Sequence, residues 1–162
     1  MSRKQPETFF QKNYDWHAAG KIWTFDRVKF TRSPDGEVGI SFDELDRMNR
    51  LIANEICRNT NRMIASELDF FCETTSTNYV DVAKYLHVSK ATVSQWMRKK
   101  ATLSFAESVL LKELFWDKVF GKDLSTAKRN ARAVTPHDKL SSMGRYAEEH
   151  EIVKGTVRPK VA

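Results

Sequence analysis

Cysteine is scarce in this chain of 162 residues, which contains only Cys57 and Cys72. Both lie in segments with helical apolar periodicity, where a free cysteine usually behaves as a small buried hydrophobe. Two cysteines at this spacing form neither a disulfide framework nor a zinc-binding signature. We therefore expect no metal site and no cofactor, and the cysteine content suits the reducing cytoplasm.

Long hydrophobic runs are also absent. No segment approaches the roughly 18 consecutive apolar residues that span a bilayer. The first residues, MSRKQPETFFQKN, are too polar for a signal peptide. The sequence thus predicts no association with a membrane and a cytoplasmic location.

Recognisable catalytic motifs are missing as well. The chain contains no P-loop, no GxSxG and no HExxH sequence, and none of its four histidines has a cysteine or a pair of carboxylates at ligand spacing. The acids Asp43, Glu44 and Asp46 stand where a helix N-terminus favours negative charge, so helix capping explains them. The sequence predicts that the protein is not an enzyme.

Acidic residues are missing from one long stretch. Between Val82 and Ala106 there is no Asp or Glu, although charges of both signs are mixed elsewhere and the formal net charge is +6. A local field of one sign favours a polyanion, because such charges dominate contacts with nucleic-acid phosphates. A solvated basic surface is the alternative that charge alone leaves open. The cations of this stretch are Lys84, Lys90, Arg98, Lys99 and Lys100.

The chain divides into four predicted regions. Residues 1–20 form a flexible arm, and residues 122–162 form a basic, largely disordered tail of low hydrophobicity. Between them, residues 21–58 combine a β-hairpin with a helix, as a dimer or partner-binding region. Residues 59–121 form a helical domain.

The β-hairpin is predicted from strands at 21–31 and 37–41, which are rich in β-branched and aromatic residues. The intervening SPDG is a turn signal. Ser41 and Glu44 have the spacing of a capping box, which starts a helix over 42–58. Apolar residues at helical spacing predict further helices, at 61–74, 79–86, 90–99 and 104–120.

Two of these helices have the pattern of a helix-turn-helix. Val82, Ala83 and Leu86 share one face of the first helix, and Val93 and Trp96 share one face of the second. Two short amphipathic helices joined by a tight turn bury those faces against each other. The opposite face of the second helix then carries short or hydrogen-bonding side chains, which let it enter a DNA major groove. These side chains are Lys90, Ala91, Ser94 and Gln95.

The segment NYVDVAKYLHVSKATVSQWMR resembles the helix-turn-helix of Cro and lambda-repressor-type (XRE-like) regulators. Their pattern reads roughly apolar-Ala-x-x-Leu-Gly-Val-Ser-x-x-Thr-Val-Ser-x-Trp. The resemblance implies a mainly α fold: a lambda-repressor-like helical DNA-binding domain over 59–121, preceded by a small N-terminal β-hairpin. Two departures stand out. His87 replaces the usual turn glycine, and MRKK replaces the acidic residue and glycine that usually follow the tryptophan.

The resemblance also implies which residues touch DNA. It assigns four residues to base edges: Ser89, Lys90, Ala91 and Gln95. It assigns others to phosphates, and the local charge adds neighbouring cations. Together the predicted phosphate contacts are Asn78, Tyr79, Lys84, Thr92, Ser94, Arg98, Lys99 and Lys100.

A longer resemblance concerns the order of the elements. A hairpin, a helix beginning ISFDEL, a linker helix and this helix-turn-helix are similar in order to antitoxin-type repressors of bacterial toxin–antitoxin modules, over about 21–120. Those proteins commonly carry a zinc-binding N-terminal half, but this chain has no CxxC pair. The resemblance implies that a partner protein, such as a toxin, binds the N-terminal region.

The helix predicted at 104–120 has apolar residues over more of its surface than packing on one side requires. We expect a homodimer through this helix, which places two recognition helices ~34 Å apart on one face of the DNA. Burial of the helix on all sides by its own chain is the alternative. The predicted interface consists of Val109, Leu111, Phe115, Trp116 and Val119.

The sequence thus predicts a sequence-specific transcriptional repressor that binds double-stranded DNA, at an inverted-repeat operator, as a homodimer. An antitoxin or protein–protein adaptor, with DNA binding used for autoregulation, is the second possibility. A third is an enzyme or RNA-binding factor whose helical domain only recruits its substrate.

Overall fold

A computed structural model describes residues 5–121 and 156–160. The described residues form two compact units, one comprising 5–52 with 156–160 and the other comprising 53–121. None of the described helices has both the length and the apolar character that crossing a bilayer requires. The elements, in chain order, are β1 Glu7–Ala18, β2 Lys21–Arg32, β3 Val38–Gly39, α1 Phe42–Arg58, α2 Ala65–Thr74, α3 Tyr79–Leu86, α4 Lys90–Arg98, α5 Phe105–Phe120 and β4 Val157–Pro159.

The expected fold class, a mainly α lambda-repressor-like domain preceded by a small hairpin, is wrong. The described residues are 50% helix and 25% strand, and the sheet that they form has four antiparallel strands. The difference arises at residues 7–18, which were expected in a flexible arm and instead form the 12-residue strand β1. β1 pairs with β2 from Glu7–Arg32 to Ala18–Lys21. Its aromatic residues favour a strand once a partner strand covers one of its edges.

The main hairpin turns at Ala19 and Gly20, which have φ angles of 52° and 71°. Two consecutive residues with positive φ are typical of a type I′ turn, whose twist matches that of the flanking strands. The hairpin predicted from 21–31 and 37–41 is reduced to a short pairing, in which the two-residue β3 faces Thr31 and Arg32. The sequence therefore predicted the short β2–β3 pairing but not the longer β1–β2 hairpin.

β2 is the central strand of the sheet, since β3 and β4 both pair with its second edge. β4 faces Trp23, Thr24 and Phe25. These three residues of β4 belong to the region predicted as a largely disordered tail. The rest of the predicted tail, 122–155 and 161–162, lies outside the described residues.

The first turn of α1 contacts the second edge of β2, between the segment that pairs with β3 and the segment that pairs with β4. The Glu44 carboxylate accepts the Lys29 N–H at 2.9 Å, and Arg47 donates to the Arg27 carbonyl at 2.8 Å. Glu44 and Arg47 also pair with each other at 2.7 Å. Ser41 accepts the Glu44 N–H at 3.2 Å, as the predicted capping box requires, but the Glu44 carboxylate is directed to the strand.

The Glu44 carboxylate should make this contact pH-dependent. Burial raises the pKa of Glu44, but hydrogen bonds from Arg47 and the Lys29 N–H outweigh it and hold the pKa below its ordinary value of 4.5. A lowered folded-state pKa stabilises the fold above the unfolded pKa, and this contribution is lost as pH falls through the folded value. We expect Glu44→Gln to cost more stability at pH 7 than at pH 3.

Urea unfolding of the wild type and Glu44→Gln at the two pH values measures this difference. Glu37→Gln is the matched control, because Glu37 is exposed and has no side-chain partner among the described residues. An equal loss of stability at both pH values would show that the charge of Glu44 contributes nothing.

The core of the first unit lies between the sheet and α1. It contains Trp23, Phe25 and Val28 from β2, and Met48 and Ile52 from α1, none more than 2% exposed. Burial of these large apolar side chains stabilises the unit against the loss of chain entropy.

α5 is the central helix of the second unit. Phe115 stacks on Phe71 of α2 with ring centroids 4.7 Å apart. The Ser108 hydroxyl, also buried, accepts the Met63 N–H at 2.8 Å. α5 therefore holds both α2 and the segment that leads into it.

Lys112 of α5 connects this helix to the end of α1. Its side chain is 1% exposed, and its ammonium donates to Asn59 O, Asn59 Oδ1 and Asn61 O at 3.2, 3.1 and 2.8 Å. Because helix C-termini carry partial negative charge, a cation is favoured just beyond Arg58. These hydrogen bonds offset part of the cost of burying the charge.

The structure leaves little of the homodimer interface predicted on α5 exposed, and the homodimer itself stays a prediction. Leu111, Phe115 and Trp116 are fully buried within the single chain, and Val109 is 3% exposed. Only Val119 is partly exposed. The helix is apolar on several sides because most of its apolar side chains pack within its own chain, although Phe105 and Leu110 are 43% and 39% exposed.

Candidate nucleic-acid interface

α3 begins and packs as its sequence predicts. Asn78 is its N-cap, and the Asn78 side chain accepts the Asp81 N–H at 2.8 Å. Val82 and Ala83 are buried, at 0% and 4% exposure. The small Ala83 side chain lies where α3 meets its neighbours, which include α4 and α5.

The turn between α3 and α4 depends on His87. This residue takes the left-handed conformation, with φ 55° and ψ 41°, and the Val88 N–H bonds back to the Ala83 carbonyl at 3.0 Å. Glycine is the usual residue at such a position, because a side chain strains the left-handed backbone. Here the turn forms with a histidine, instead of a glycine, in the left-handed conformation.

α4 is anchored at its start and on one face. Ser89 is the N-cap and accepts the Thr92 N–H at 3.1 Å. Val93 is fully buried, whereas Trp96 is only partly buried. α4 packs against α3 and α2, so its buried face is fixed by two neighbouring helices.

The opposite face of α4 is open to solvent. Every predicted base-reading residue is exposed, and the first turn of the helix contains no acid. The exposed positions follow helical spacing, so they share one side of the helix. They are Ser89, Lys90, Ala91, Ser94, Gln95 and Arg98.

The chain leaves α4 through a second left-handed residue. Lys100 has φ 49°, and the Ala101 N–H bonds to the Trp96 carbonyl at 3.0 Å. The Ala101 carbonyl in turn accepts the Ala65 N–H at 2.9 Å, at the start of α2. These bonds fix the backbone directly after α4, where Lys99 and Lys100 are exposed.

The predicted phosphate contacts fall into two groups. The cations Lys84, Arg98, Lys99 and Lys100 are exposed, as are Asn78 and Ser94, and the chain contributes no acid between Val82 and Ala106. Tyr79 and Thr92 are only partly exposed and their hydroxyls have partners within the chain.

Tyr79 is the prediction that the structure supports least. Its hydroxyl donates to Asp69 Oδ1 at 2.7 Å, and this hydrogen bond, with a smaller effect of burial, raises the pKa of Tyr79 to about 12. Tyr79 and Asn78 line an open cleft together with Asp69 and Glu73. Two carboxylates beside the hydroxyl disfavour a phosphate there. The Thr92 hydroxyl is similarly engaged, at 2.9 Å from Ser89 Oγ.

The part of the chain that the structure describes contains no cluster of three His, Cys, Asp or Glu residues that could hold a metal ion. Cys57 and Cys72 are free and buried. Burial raises the pKa of the Cys57 thiol to about 12 and that of the Cys72 thiol to about 11. Both are therefore core residues rather than reactive thiols.

A second group of exposed cations lies on the sheet and has no counterpart among the predicted site residues. It consists of Lys12, Arg27 and Lys29. In RVKF, charged and apolar residues alternate, and this is the sequence signal that places Arg27 and Lys29 on one side once the segment is read as a strand.

No family model, no curated protein and no solved structure matches this chain.

Proposed function

We propose that the protein is a sequence-specific DNA-binding transcriptional repressor of the cytoplasm, and that the exposed face of α4 reads the major groove. The observation that carries this proposal is the asymmetry of α4. Val93 is buried on one side, whereas Lys90, Ala91 and Gln95 are exposed on the other. A helix held in this way presents a fixed set of side chains to a groove about 12 Å wide.

The side chains on this face suit close approach. Ala91 and Ser94 are small, so the helix axis can come near the base edges. Gln95 can make a bidentate hydrogen bond to adenine, and Lys90 can donate to guanine. Sequence reading would therefore rest on Gln95 and Lys90, with Ala91 providing room.

The exposed cations suit the DNA backbone. Arg98, Lys99 and Lys100 follow the reading face of α4, and Lys84 lies on α3. Each cation that neutralises a phosphate releases a condensed counterion, which gives affinity without sequence preference. The two kinds of contact therefore separate along α4, with base reading toward its start and phosphate binding toward its end.

We also propose that two copies bind an inverted repeat, because one helix-turn-helix covers only one half-site of a typical operator. The contact between the copies must use a surface other than Leu111 and Phe115 of α5, which are buried in each copy.

The test begins with selection of bound duplexes from a random-sequence pool. The selected duplex should contain an inverted repeat and should be protected in a footprint at a stated salt concentration. We expect Gln95→Ala to weaken binding to the selected duplex about tenfold and to leave random DNA unchanged, since one bidentate contact is worth ~1–3 kcal/mol.

Gln11→Ala is the matched control, because Gln11 is an exposed glutamine of β1. If selection enriches no sequence, or if Gln95→Ala weakens selected and random DNA alike, α4 does not read bases.

A second candidate function is binding of a partner protein by the first unit, with DNA binding for autoregulation. Phe42, the first residue of α1, is 90% exposed, and Val38 is 50% exposed. Exposed aromatic side chains are enriched at protein interfaces. An adaptor without a DNA function would enrich no sequence from the random pool.

A further inference from the structure

The outer face of the β1–β2 hairpin gathers three cations around one exposed aromatic ring. In the register of the two strands, Lys12 faces Arg27 and Phe10 faces Lys29. Facing residues in an antiparallel pair project from the same side of the sheet. The opposite side is the core side, because Val28, between Arg27 and Lys29, is fully buried. All four outer residues are exposed, and Phe10 is 51% exposed.

Lys12 and Arg27 are of like charge and belong to the closer type of cross-strand pair. The Lys29 N–H is bound by Glu44 and the Arg27 carbonyl by Arg47, so both groups point away from β1. The Lys12–Arg27 and Phe10–Lys29 pairs are therefore non-hydrogen-bonded pairs, in which facing side chains approach most closely. Like charges placed this way destabilise a hairpin. A bound anion would relieve that repulsion.

The acids nearest to this face have partners of their own. Asp15 binds Lys160 at 2.7 Å and the Thr24 hydroxyl at 2.6 Å. Glu44 pairs with Arg47. Among the described residues, Lys12, Arg27 and Lys29 make no ion pair. Asp26, directly before Arg27, is also exposed, and its carboxylate accepts the Thr156 N–H at 3.3 Å. The three cations outnumber this carboxylate, so the face keeps a net positive charge.

The Arg27 guanidinium lies over the Phe10 ring, 3.7 Å from its centroid. Arginine and phenyl planes are the surfaces on which unpaired bases stack, and flanking lysines suit the phosphates between such bases. A base within a duplex is already stacked on both sides, so the ring favours a single strand. Unpaired segments are common in cellular RNA, whereas cellular DNA is mostly paired.

We propose that the outer face of the β1–β2 hairpin, formed by Phe10, Lys12, Arg27 and Lys29, binds unpaired segments of RNA. One base stacks on Phe10 and Arg27, and the adjacent phosphates contact Lys12 and Lys29. This site is independent of the DNA-reading face of α4, because it uses different residues of a different unit.

Fluorescence anisotropy of the full chain with a labelled single-stranded RNA of about 12 nucleotides tests the site. We expect Phe10→Ala to weaken binding about tenfold, and Lys12→Gln with Lys29→Gln to weaken it similarly and to flatten its salt dependence. Phe42→Ala is the matched control, because Phe42 is an exposed phenylalanine of the same unit. It should leave RNA binding unchanged.

Two further titrations, together with the Phe10→Ala comparison, decide the outcome. Single-stranded DNA of the same sequence should bind more weakly than the RNA, and equal binding overturns the choice of RNA. Equal RNA affinity of the wild type and Phe10→Ala overturns the site itself. The selected duplex should bind Phe10→Ala as tightly as the wild type, so failure of this proposal is separable from failure of DNA reading by α4.

Discussion

Replacing Lys112 by methionine is expected to lower the free energy of unfolding by about 3 kcal/mol. The substitution keeps the length and apolar stem of the side chain but removes the ammonium. It removes the donor that binds Asn59 O, Asn59 Oδ1 and Asn61 O at 2.8 to 3.2 Å, although Asn59 Oδ1 keeps the hydrogen bond from the Asn61 N–H. Each acceptor left unbound in a buried setting costs ~1–3 kcal/mol, and partial access to water reduces the total.

Lys118→Met is the matched control, on the same helix. Among the described residues, the Lys118 ammonium binds only the Thr77 hydroxyl, at 2.8 Å, and Lys118 is exposed. We expect a loss below about 1 kcal/mol. Urea unfolding of both variants measures the difference, and equal losses would mean that Lys112 does not hold α5 to the end of α1.

Replacing Lys99 and Lys100 together by glutamine is expected to weaken binding to every duplex about 100-fold at moderate salt. Both side chains are exposed directly after α4, in a backbone segment fixed by the Ala101–Trp96 and Ala65–Ala101 hydrogen bonds. If each contacts one phosphate, the slope of log affinity against log salt falls by about 2. Selected and random duplexes should lose affinity equally.

Lys12→Gln with Lys29→Gln is the matched control, since it removes the same charge from the sheet. Titrations of the selected duplex at several salt concentrations compare the two double variants. An equal effect of both would mean that net charge, and not the position of Lys99 and Lys100, governs DNA affinity.

The second unit was largely predictable from local signals. Asn78 and Ser89 are N-caps with short side-chain bonds to the backbone, and such capping depends on residue type and immediate neighbours. The predicted bounds of α1 and α3 agree with the structure, and α4 and α5 differ by a single residue at one end. Periodicity is reliable for α1, α3 and α4 because each of these helices has one apolar and one polar side.

The fold as a whole was not predictable in the same way. β1 requires β2 as a partner, and β4 reaches β2 from more than 120 residues further along the chain. Neither pairing leaves a local sequence signal. The apolar surface of α5 was ambiguous for a similar reason, since periodicity cannot distinguish a partner copy from the chain's own α2 and the segment leading into it.

The candidate site likewise combines residues that local sequence predicts with contacts that it does not. The exposed face of α4 follows from helical spacing alone, so its residues could be predicted. The Tyr79–Asp69 hydrogen bond joins residues of two helices, and the pairing of Lys12 with Arg27 depends on strand register. Both needed the tertiary structure.

The most direct measurement of DNA reading by α4 is the alkylation rate of a thiol introduced by Ser94→Cys, with and without the selected duplex. The native Cys57 and Cys72 are buried with raised pKa values, so they react slowly. We predict that saturating duplex slows alkylation at position 94 at least tenfold and leaves an Asp35→Cys control unchanged. An unchanged rate at position 94 while the duplex is bound would contradict the assignment of this face to the major groove.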